Sequence, residues 1–276
     1  MRIVDSHCHL EEPVFADDWA GLIARMQAVG VTGILGVGVA PDRWVQQCVT
    51  AERIRAGGVS VGLAFGIHPW WADRIDALTG LAALDRWLAS HASSTVAIGE
   101  IGLDFGPDMP DPGVQHRLFD GQLDRARERN LPVILHERKS ADLLLKAIRL
   151  RPGLRGVVHG FVGSAQQARQ FVERGFSLGV GGAITHPRAT RMRQMVAGLP
   201  LSSLVIETDA PNQPGHAHRG ERNEPAYIRE VLAVLASIRA EDEVVLADQM
   251  YRNTLTLFGT DWLVPGPRDM RESSGD

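Results

Sequence analysis

Six histidine, glutamate and aspartate residues in this sequence stand at or just past the ends of short apolar runs. Imidazole nitrogens and carboxylate oxygens are common protein ligands of divalent transition metals. If the apolar runs are parallel strands of a barrel, their carboxyl ends meet at one face and bring these side chains together. The spacing therefore predicts metal chemistry at one end of the fold. The six residues are His7, His9, Glu100, His136, His159 and Asp209.

Each member of this set also has a less specific interpretation. On a strand, His7 and His9 point to the same face and can hold one ion, with Cys8 on the other face, but an H-x-H pair is equally compatible with packed or surface histidines. A buried Glu100 needs a positive partner, which is either a metal ion or an arginine. Asp209 is either a ligand or a turn residue. The shared position at strand ends favours the metal site.

The elements that must position these residues follow a regular pattern. Short apolar or β-branched runs alternate with amphipathic helical segments, which predicts parallel β/α units. We expect an α/β fold, a (β/α)8 TIM barrel in a single domain over residues 1–263, with a last helix near residues 241–258 and a flexible C-terminal tail at residues 264–276. The predicted strands cover residues 2–6, 33–37, 59–66, 96–101, 132–135, 156–158, 176–180 and 204–207.

Composition restricts the classes of function. The 276 residues, of which 44% are hydrophobic and 22% charged, suit a globular domain with a large core. The formal charge of −4 predicts no global attraction to nucleic acid, so phosphate recognition would depend on a local basic cluster. With two cysteines and no long apolar segment near the start, the sequence predicts a cytoplasmic location, no membrane span and no obligate protein partner.

Longer motifs around these positions resemble the TatD-like metal-dependent hydrolases, a branch of the amidohydrolase-type barrels. The resemblance spans nearly the whole chain, and the motifs occur in the order and spacing of the family. All the expected ligands are present, which argues against a scaffold protein that has lost its activity. The motifs are DSHCHL, GIHPW, VAIGEIGLD, LPVILHERKS, GVVHGFVGS, ETDAP, RNEPAYI and NTLTLF.

The resemblance implies a binuclear metal centre bridged by Glu100. Asp209 would orient or deprotonate the attacking water, His68 would contact a phosphate or leaving group, and Glu207 is either a ligand or a support. Zn, Mn, Ni and Co suit imidazole ligands, whereas Mg prefers oxygen. One ion would be held by His7, His9, Glu100 and Asp209, and the other by Glu100, His136 and His159.

The resemblance also implies a reaction. Family members include DNases and exonucleases, which predicts a metal-dependent deoxyribonuclease, a 3'-5' exonuclease-type phosphodiesterase acting on single-stranded ends of DNA or RNA through a metal-activated water. Basic residues that follow the predicted strands would form a basic rim, in which Arg138, Arg188 and Arg222 are the expected phosphate contacts, or would be ordinary solvated charges. The alternative is hydrolysis of an ester or amide, such as an aminoacyl ester or a small metabolite, at the same site.

The sequence departs from the family pattern near the expected substrate site. After His136 the usual Ser-Arg-Asp-Ala is Glu-Arg-Lys-Ser, Gly160 replaces a frequent cysteine, and Asn212 stands where an aromatic residue is common. The missing aromatic weakens the case for base stacking. Trp70 and Trp71 could replace it, or could be core or rim aromatics.

Overall fold

A computed structural model describes residues 1–263, in which eight parallel strands, paired in chain order, form a barrel surrounded by helices. The predicted (β/α)8 fold is confirmed, and the predicted tail at residues 264–276 lies outside the described residues. The strands are β1 (Ile3–Cys8), β2 (Val31–Val37), β3 (Ser60–Phe65), β4 (Thr95–Asp104), β5 (Val133–Arg138), β6 (Gly156–Val158), β7 (Phe176–Val180) and β8 (Leu204–Ile206). The helices are α1 (Trp19–Ala28), α2 (Trp44–Ala56), α3 (Ala77–Ser90), α4 (Pro112–Glu128), α5 (Ala141–Arg149), α6 (Ala165–Val172), α7 (Thr190–Ala197), α8 (Ile228–Arg239) and α9 (Glu243–Phe258).

Local sequence signals fix where several helices begin. The Asp111 carboxylate accepts hydrogen bonds from the backbone N–H groups of Gly113 and Val114, with Pro112 in the first turn of α4. Ser164 and Gln167 form a reciprocal capping box at the start of α6. Within residues 1–263, the helices include none that is both long and apolar enough to cross a membrane.

Strands β1, β4 and β5 run further than their apolar residues predict. They extend to Cys8, Asp104 and Arg138, because the polar ends keep ladder pairing: Gly102 pairs with His136, and Asp104 pairs with Arg138. Candidate ligands on these strands therefore project from rigid backbone rather than from loops.

Backbone contacts between the end of β8 and β1 close the barrel. Cys8 and Ala210 form a parallel bridge, the Asp209 N–H donates to the His7 carbonyl at 2.9 Å, and the His9 N–H donates to the Ala210 carbonyl at 2.7 Å. The first and last strands thus place His7, His9 and Asp209 side by side, although about two hundred residues separate them in the chain.

The opposite end of the barrel is closed by apolar side chains packed around Trp262, here called the apolar plug. Trp262, which is 8% exposed, packs against the inner cluster that includes Val4 and Leu35. Two strand positions that lie under the indole are glycines, Gly33 and Gly62, and a Cβ at either would come within 3.2 Å of the ring. Apolar packing at this end therefore stabilises the barrel without involving the polar residues at the other end.

Replacing Trp262 by Ala should lower the free energy of unfolding by about 3–5 kcal/mol, since a large buried aromatic is removed from a site that cannot collapse. Urea unfolding measures this decrease, and metal affinity of the folded variant should match the wild type. A decrease below about 1 kcal/mol would mean that the plug is not part of the cooperative core.

Candidate metal centre

A cavity of about 250 Å³ opens among the carboxyl ends of the strands. Its lining includes His9, His136 and Asp209 beside the aromatic walls of Trp70 and Trp71. A larger cavity, of about 600 Å³, lies between α6 and α7, and its lining within residues 1–263 contains no histidine or carboxylate. The smaller cavity is therefore the candidate site, because metal-ligand and acid–base groups converge there.

Four donor atoms at the base of this cavity form a compact set. His7 Nε2 and His9 Nε2 are 3.1 Å apart, and each lies between 3.3 and 3.5 Å from both Glu100 Oε2 and Asp209 Oδ1. Ligands at the usual zinc bond lengths occupy a tetrahedron with edges of about 3.3 Å. Five of the six edges of this set lie near that length, and the two carboxylate oxygens, which are both acceptors, cannot satisfy each other without a cation.

A second set of donors uses the other oxygen of Glu100. Glu100 Oε1 lies 2.9 Å from His136 Nδ1 and 2.8 Å from His159 Nε2, and these two nitrogens are 3.2 Å apart. Three donors leave coordination positions open, as catalytic sites require. Because its two oxygens face different sets, the Glu100 carboxylate has the geometry of a bridge.

Hydrogen bonds to the outer nitrogens define two histidine tautomers. His9 Nδ1 lies 2.8 Å from the Val37 carbonyl, so Nδ1 carries the ring proton. The lone pair of Nε2 is then free to coordinate an ion. His68 Nδ1 instead accepts the Trp70 backbone N–H at 3.1 Å, which places the proton of the neutral ring on Nε2. That Nε2 lies 3.2 Å from Glu100 Oε1, so His68 faces the site as a hydrogen-bond donor.

The carboxylates of the site are held ionised. Burial raises the pKa of Glu100, but its contacts with nearby imidazoles, including His68 and His159, outweigh burial and hold the pKa well below its ordinary value. For Asp209, burial again opposes the hydrogen bond to His9, and the pKa falls to about 2. Charged carboxylates are the form that binds metal.

The imidazoles differ in protonation. Burial is the largest cause that lowers the pKa of His7 and His68 to about 4, so both are neutral at pH 7. For His159, burial is opposed by the charge of Glu100, and the pKa rises to about 9. A cation that binds His159 therefore has to displace a proton.

Two further residues lie beside the donor sets. Gln213 Nε2 donates to Asp209 Oδ2 at 2.7 Å, which leaves Oδ1 directed at the histidines. The buried Glu207 carboxyl accepts the Gly160 N–H and lies 3.8 Å from His159 Nδ1, on the side of the ring away from Glu100. Glu207 thus lies beside His159 but beyond hydrogen-bond distance of its ring, outside both donor sets. Gly160 has φ 53°, a conformation that favours glycine over the family's cysteine.

The three arginines of the basic rim lie in different surroundings. Arg138 is half exposed and its Nη1 lies 3.8 Å from Asp104 Oδ2, whereas Arg188 is exposed before α7. Arg222 pairs with Asp18 at 3.1 Å and Glu224 at 3.4 Å. It also donates to the Val14 carbonyl and stacks on Phe15, so its guanidinium is already engaged in holding the loop after β8.

Sequence reasoning gave no role to Asp104, although the residue lies within the GEIGLD segment. The carboxylate is buried, and its Oδ2 lies 3.1 Å from His136 Nε2 and accepts the Trp70 indole N–H at 2.7 Å. The available signal was the even spacing from Glu100, which places both side chains on one face of β4. Its contacts come from another strand and another loop, which the spacing does not reveal.

A parallel barrel that collects histidines and carboxylates at the carboxyl ends of its strands is typical of metal-dependent hydrolases. A sequence model of the TatD related DNase family matches residues 4–259, and the chain belongs to this family. The resemblance inferred from the motifs is thereby confirmed.

Individual relatives match over nearly the full chain. The chain is 38% identical over 258 residues to the uncharacterised metal-dependent hydrolase YjjV of Escherichia coli K12, covering 93% of this chain and 98% of that protein. The crystal structure of YjjV has a TM-score of 0.85, covering 93% and 98% of the two chains. The 3'-5' ssDNA/RNA exonuclease TatD of Citrobacter rodentium is 32% identical over 271 residues, covering 92% and 97%. The chain is a metal-dependent hydrolase of the TatD family.

Replacing Glu100 by Gln keeps the shape of the side chain but removes the charge shared by both donor sets. We expect metal binding to weaken by at least about 10- to 100-fold, measured by calorimetry and elemental analysis on the stripped and reloaded protein. His91→Gln is the matched control, because His91 ends α3 and contacts the Trp87 carbonyl, outside both donor sets. Equal metal content in the Glu100 variant and the control would rule out the shared role.

Proposed function

We propose that this enzyme hydrolyses phosphodiester bonds at single-stranded ends of DNA or RNA, with two divalent ions at the mouth of the barrel. The observation that carries the proposal is that the two oxygens of Glu100 face two separate donor sets. A pair of ions on one bridging carboxylate is the arrangement used by many phosphodiesterases. The exonuclease name of relatives such as the Citrobacter protein supports the substrate class.

The residues that would hold the ions are those of the two donor sets. Such ions would lower the pKa of an attacking water and stabilise charge on the attacking and leaving oxygens of the phosphodiester. Imidazole-rich donors favour Zn, Mn, Ni or Co over Mg. One ion would be held by His7, His9, Glu100 and Asp209, and the other by Glu100, His136 and His159.

The remaining steps fall to groups of the chain itself. We assign Asp209 the orientation of the water, because Gln213 holds its Oδ2 and leaves Oδ1 directed at the site. His68 Nε2 carries a proton at the cavity, where it can donate to a phosphate or leaving-group oxygen. Arg138 and Arg188 lie outside the cavity lining, where they would contact phosphates further along the strand.

The size of the cavity favours ends over internal sites. The cavity volume of about 250 Å³ is just below the range of ordinary ligand sites. The cavity therefore admits one small terminal unit rather than a duplex. We infer action on one nucleotide at a time, with the 3'-5' polarity named for the TatD relatives.

One observation favours the alternative of a small ester or amide substrate. No arginine or lysine contributes to the cavity lining in residues 1–263, whereas Glu12, Asn212 and Gln213 do. A neutral substrate needs no cationic partner there. Activity measurements separate the two candidates.

Metal-stripped enzyme should regain nuclease activity when Mn, Co or Zn is added, and should degrade a labelled single-stranded oligonucleotide from one end faster than the same sequence as a duplex. The reason is that only a frayed or free end can enter the cavity. A panel of aryl and aminoacyl esters is assayed in parallel. Turnover of an ester with no cleavage of any oligonucleotide would establish the alternative instead.

Replacing Arg138 and Arg188 together by Gln should raise KM for a short single strand and reduce the slope of log binding constant against log salt by about 0.7 for each phosphate that the variant no longer neutralises. Metal content should stay unchanged. Arg222→Gln is the contrasting variant: because its guanidinium pairs with Asp18 and Glu224, it should lose about 1–2 kcal/mol of stability with little change in slope. Identical salt slopes in the double variant and wild type would remove the phosphate role.

A further inference from the structure

One buried carboxylate connects the candidate metal centre to the aromatic wall of the cavity. Asp104 Oδ2 lies 3.1 Å from His136 Nε2 and accepts the Trp70 indole N–H at 2.7 Å, while Oδ1 accepts the Gly106 N–H at 2.7 Å. The residue is 0% exposed. With both oxygens engaged, the Asp104 side chain is held in one orientation.

The contact defines the tautomer of His136. Its Nδ1 faces Glu100 Oε1 and His159 Nε2, so Nδ1 must be unprotonated to act as a ligand. The ring proton then lies on Nε2, where Asp104 is the acceptor. A carboxylate that accepts the outer N–H of a histidine ligand fixes the ring orientation and makes the ligand atom more basic.

The same oxygen holds Trp70 rigidly at the cavity. Trp70 is 45% exposed and lines the cavity, so part of its indole faces the space beside the metal donors. Its indole lies 4.9 Å from the His68 ring and 6.3 Å from the His136 ring, measured between centroids. Because the N–H is occupied by Asp104, the part of the indole that remains open is apolar ring surface.

We propose that Asp104 is a positioning residue that couples His136 to a preformed stacking surface on Trp70, and that this surface binds the terminal base of a single-stranded nucleic acid. The stacking part rests on the proposed function, whereas the His136 part does not. A planar base fits because the exposed surface is aromatic, lies in the same small cavity as the metal donors, and is fixed before binding. Trp70 thereby replaces the aromatic residue missing at Asn212.

The first experiment measures metal affinity, by calorimetric titration of stripped protein with Mn or Zn. Asp104→Asn should weaken binding by about 10- to 100-fold, because the charge that accepts the His136 proton is lost and an amide oxygen in the place of Oδ2 leaves an NH2 group facing the Gly106 N–H, which it cannot accept. The control Trp87→Phe should leave metal affinity unchanged, because the Trp87 indole N–H has no hydrogen-bond partner in residues 1–263. Unchanged metal affinity in a folded Asp104→Asn protein would overturn the positioning role.

Wild-type protein with ¹⁵N-labelled histidine gives a measurement that needs no folded variant. The His136 resonances should report a proton on Nε2 and none on Nδ1 when Zn is bound. A proton on Nδ1 would overturn the assignment even if Asp104→Asn does not fold.

The second experiment measures binding of thymidine 5'-monophosphate and of deoxyribose 5-phosphate, which lacks the base, to metal-loaded protein. Trp70→Leu should weaken nucleotide binding by about 5- to 150-fold with little effect on the sugar phosphate, and Trp70→Phe should restore part of the affinity. Equal affinity of wild type and Trp70→Leu for the nucleotide would overturn the stacking surface, even if wild type cleaves DNA. If wild type neither binds the nucleotide nor cleaves DNA, the proposed function and the stacking surface both fall, while the metal titration still decides the role of Asp104.

Discussion

A buried carboxylate surrounded by imidazoles is the interaction on which the rest of the site depends. Glu100 is 2% exposed, and five histidine rings approach its two oxygens within 2.8 to 3.4 Å. A buried negative charge is costly unless positive or hydrogen-bonding partners surround it. In this chain the partners arrive from β1, from the loop after β3, and from β5 and β6. The fold must therefore be assembled before the charge at its mouth can be stabilised.

Barrel topology meets this requirement with backbone contacts alone. Consecutive parallel pairing from β1 to β8 directs every carboxyl end to one face. The hydrogen bonds from the Asp209 N–H to the His7 carbonyl and from the His9 N–H to the Ala210 carbonyl bring the last strand end beside the first. The apolar plug around Trp262 lies at the opposite end. Because the two ends are separate, the core can supply stability while the mouth holds clustered polar groups that contribute little to it.

The fold and the candidate ligands were predictable because both follow from local patterns. Alternating apolar runs and helical segments define the strands, and residues such as His136 and His159 stand at strand ends in the sequence itself. The strand ends were less predictable, since pairing with neighbours continues through polar residues up to Asp104 and Arg138. The engagement of Arg222 could not be inferred, because its partner Asp18 lies 204 residues away. The same holds for the hydrogen bond between Trp70 and Asp104, which joins the loop after β3 to the end of β4.

Anomalous X-ray diffraction from crystals loaded with Zn or Mn tests the proposed bridging of two ions by Glu100. Two anomalous peaks about 3.5–4 Å apart are expected, one beside Glu100 Oε2 with His7, His9 and Asp209, and the other beside Oε1 with His136 and His159. A single peak at saturating metal, or a peak that Glu100 does not contact, would rule out the bridge.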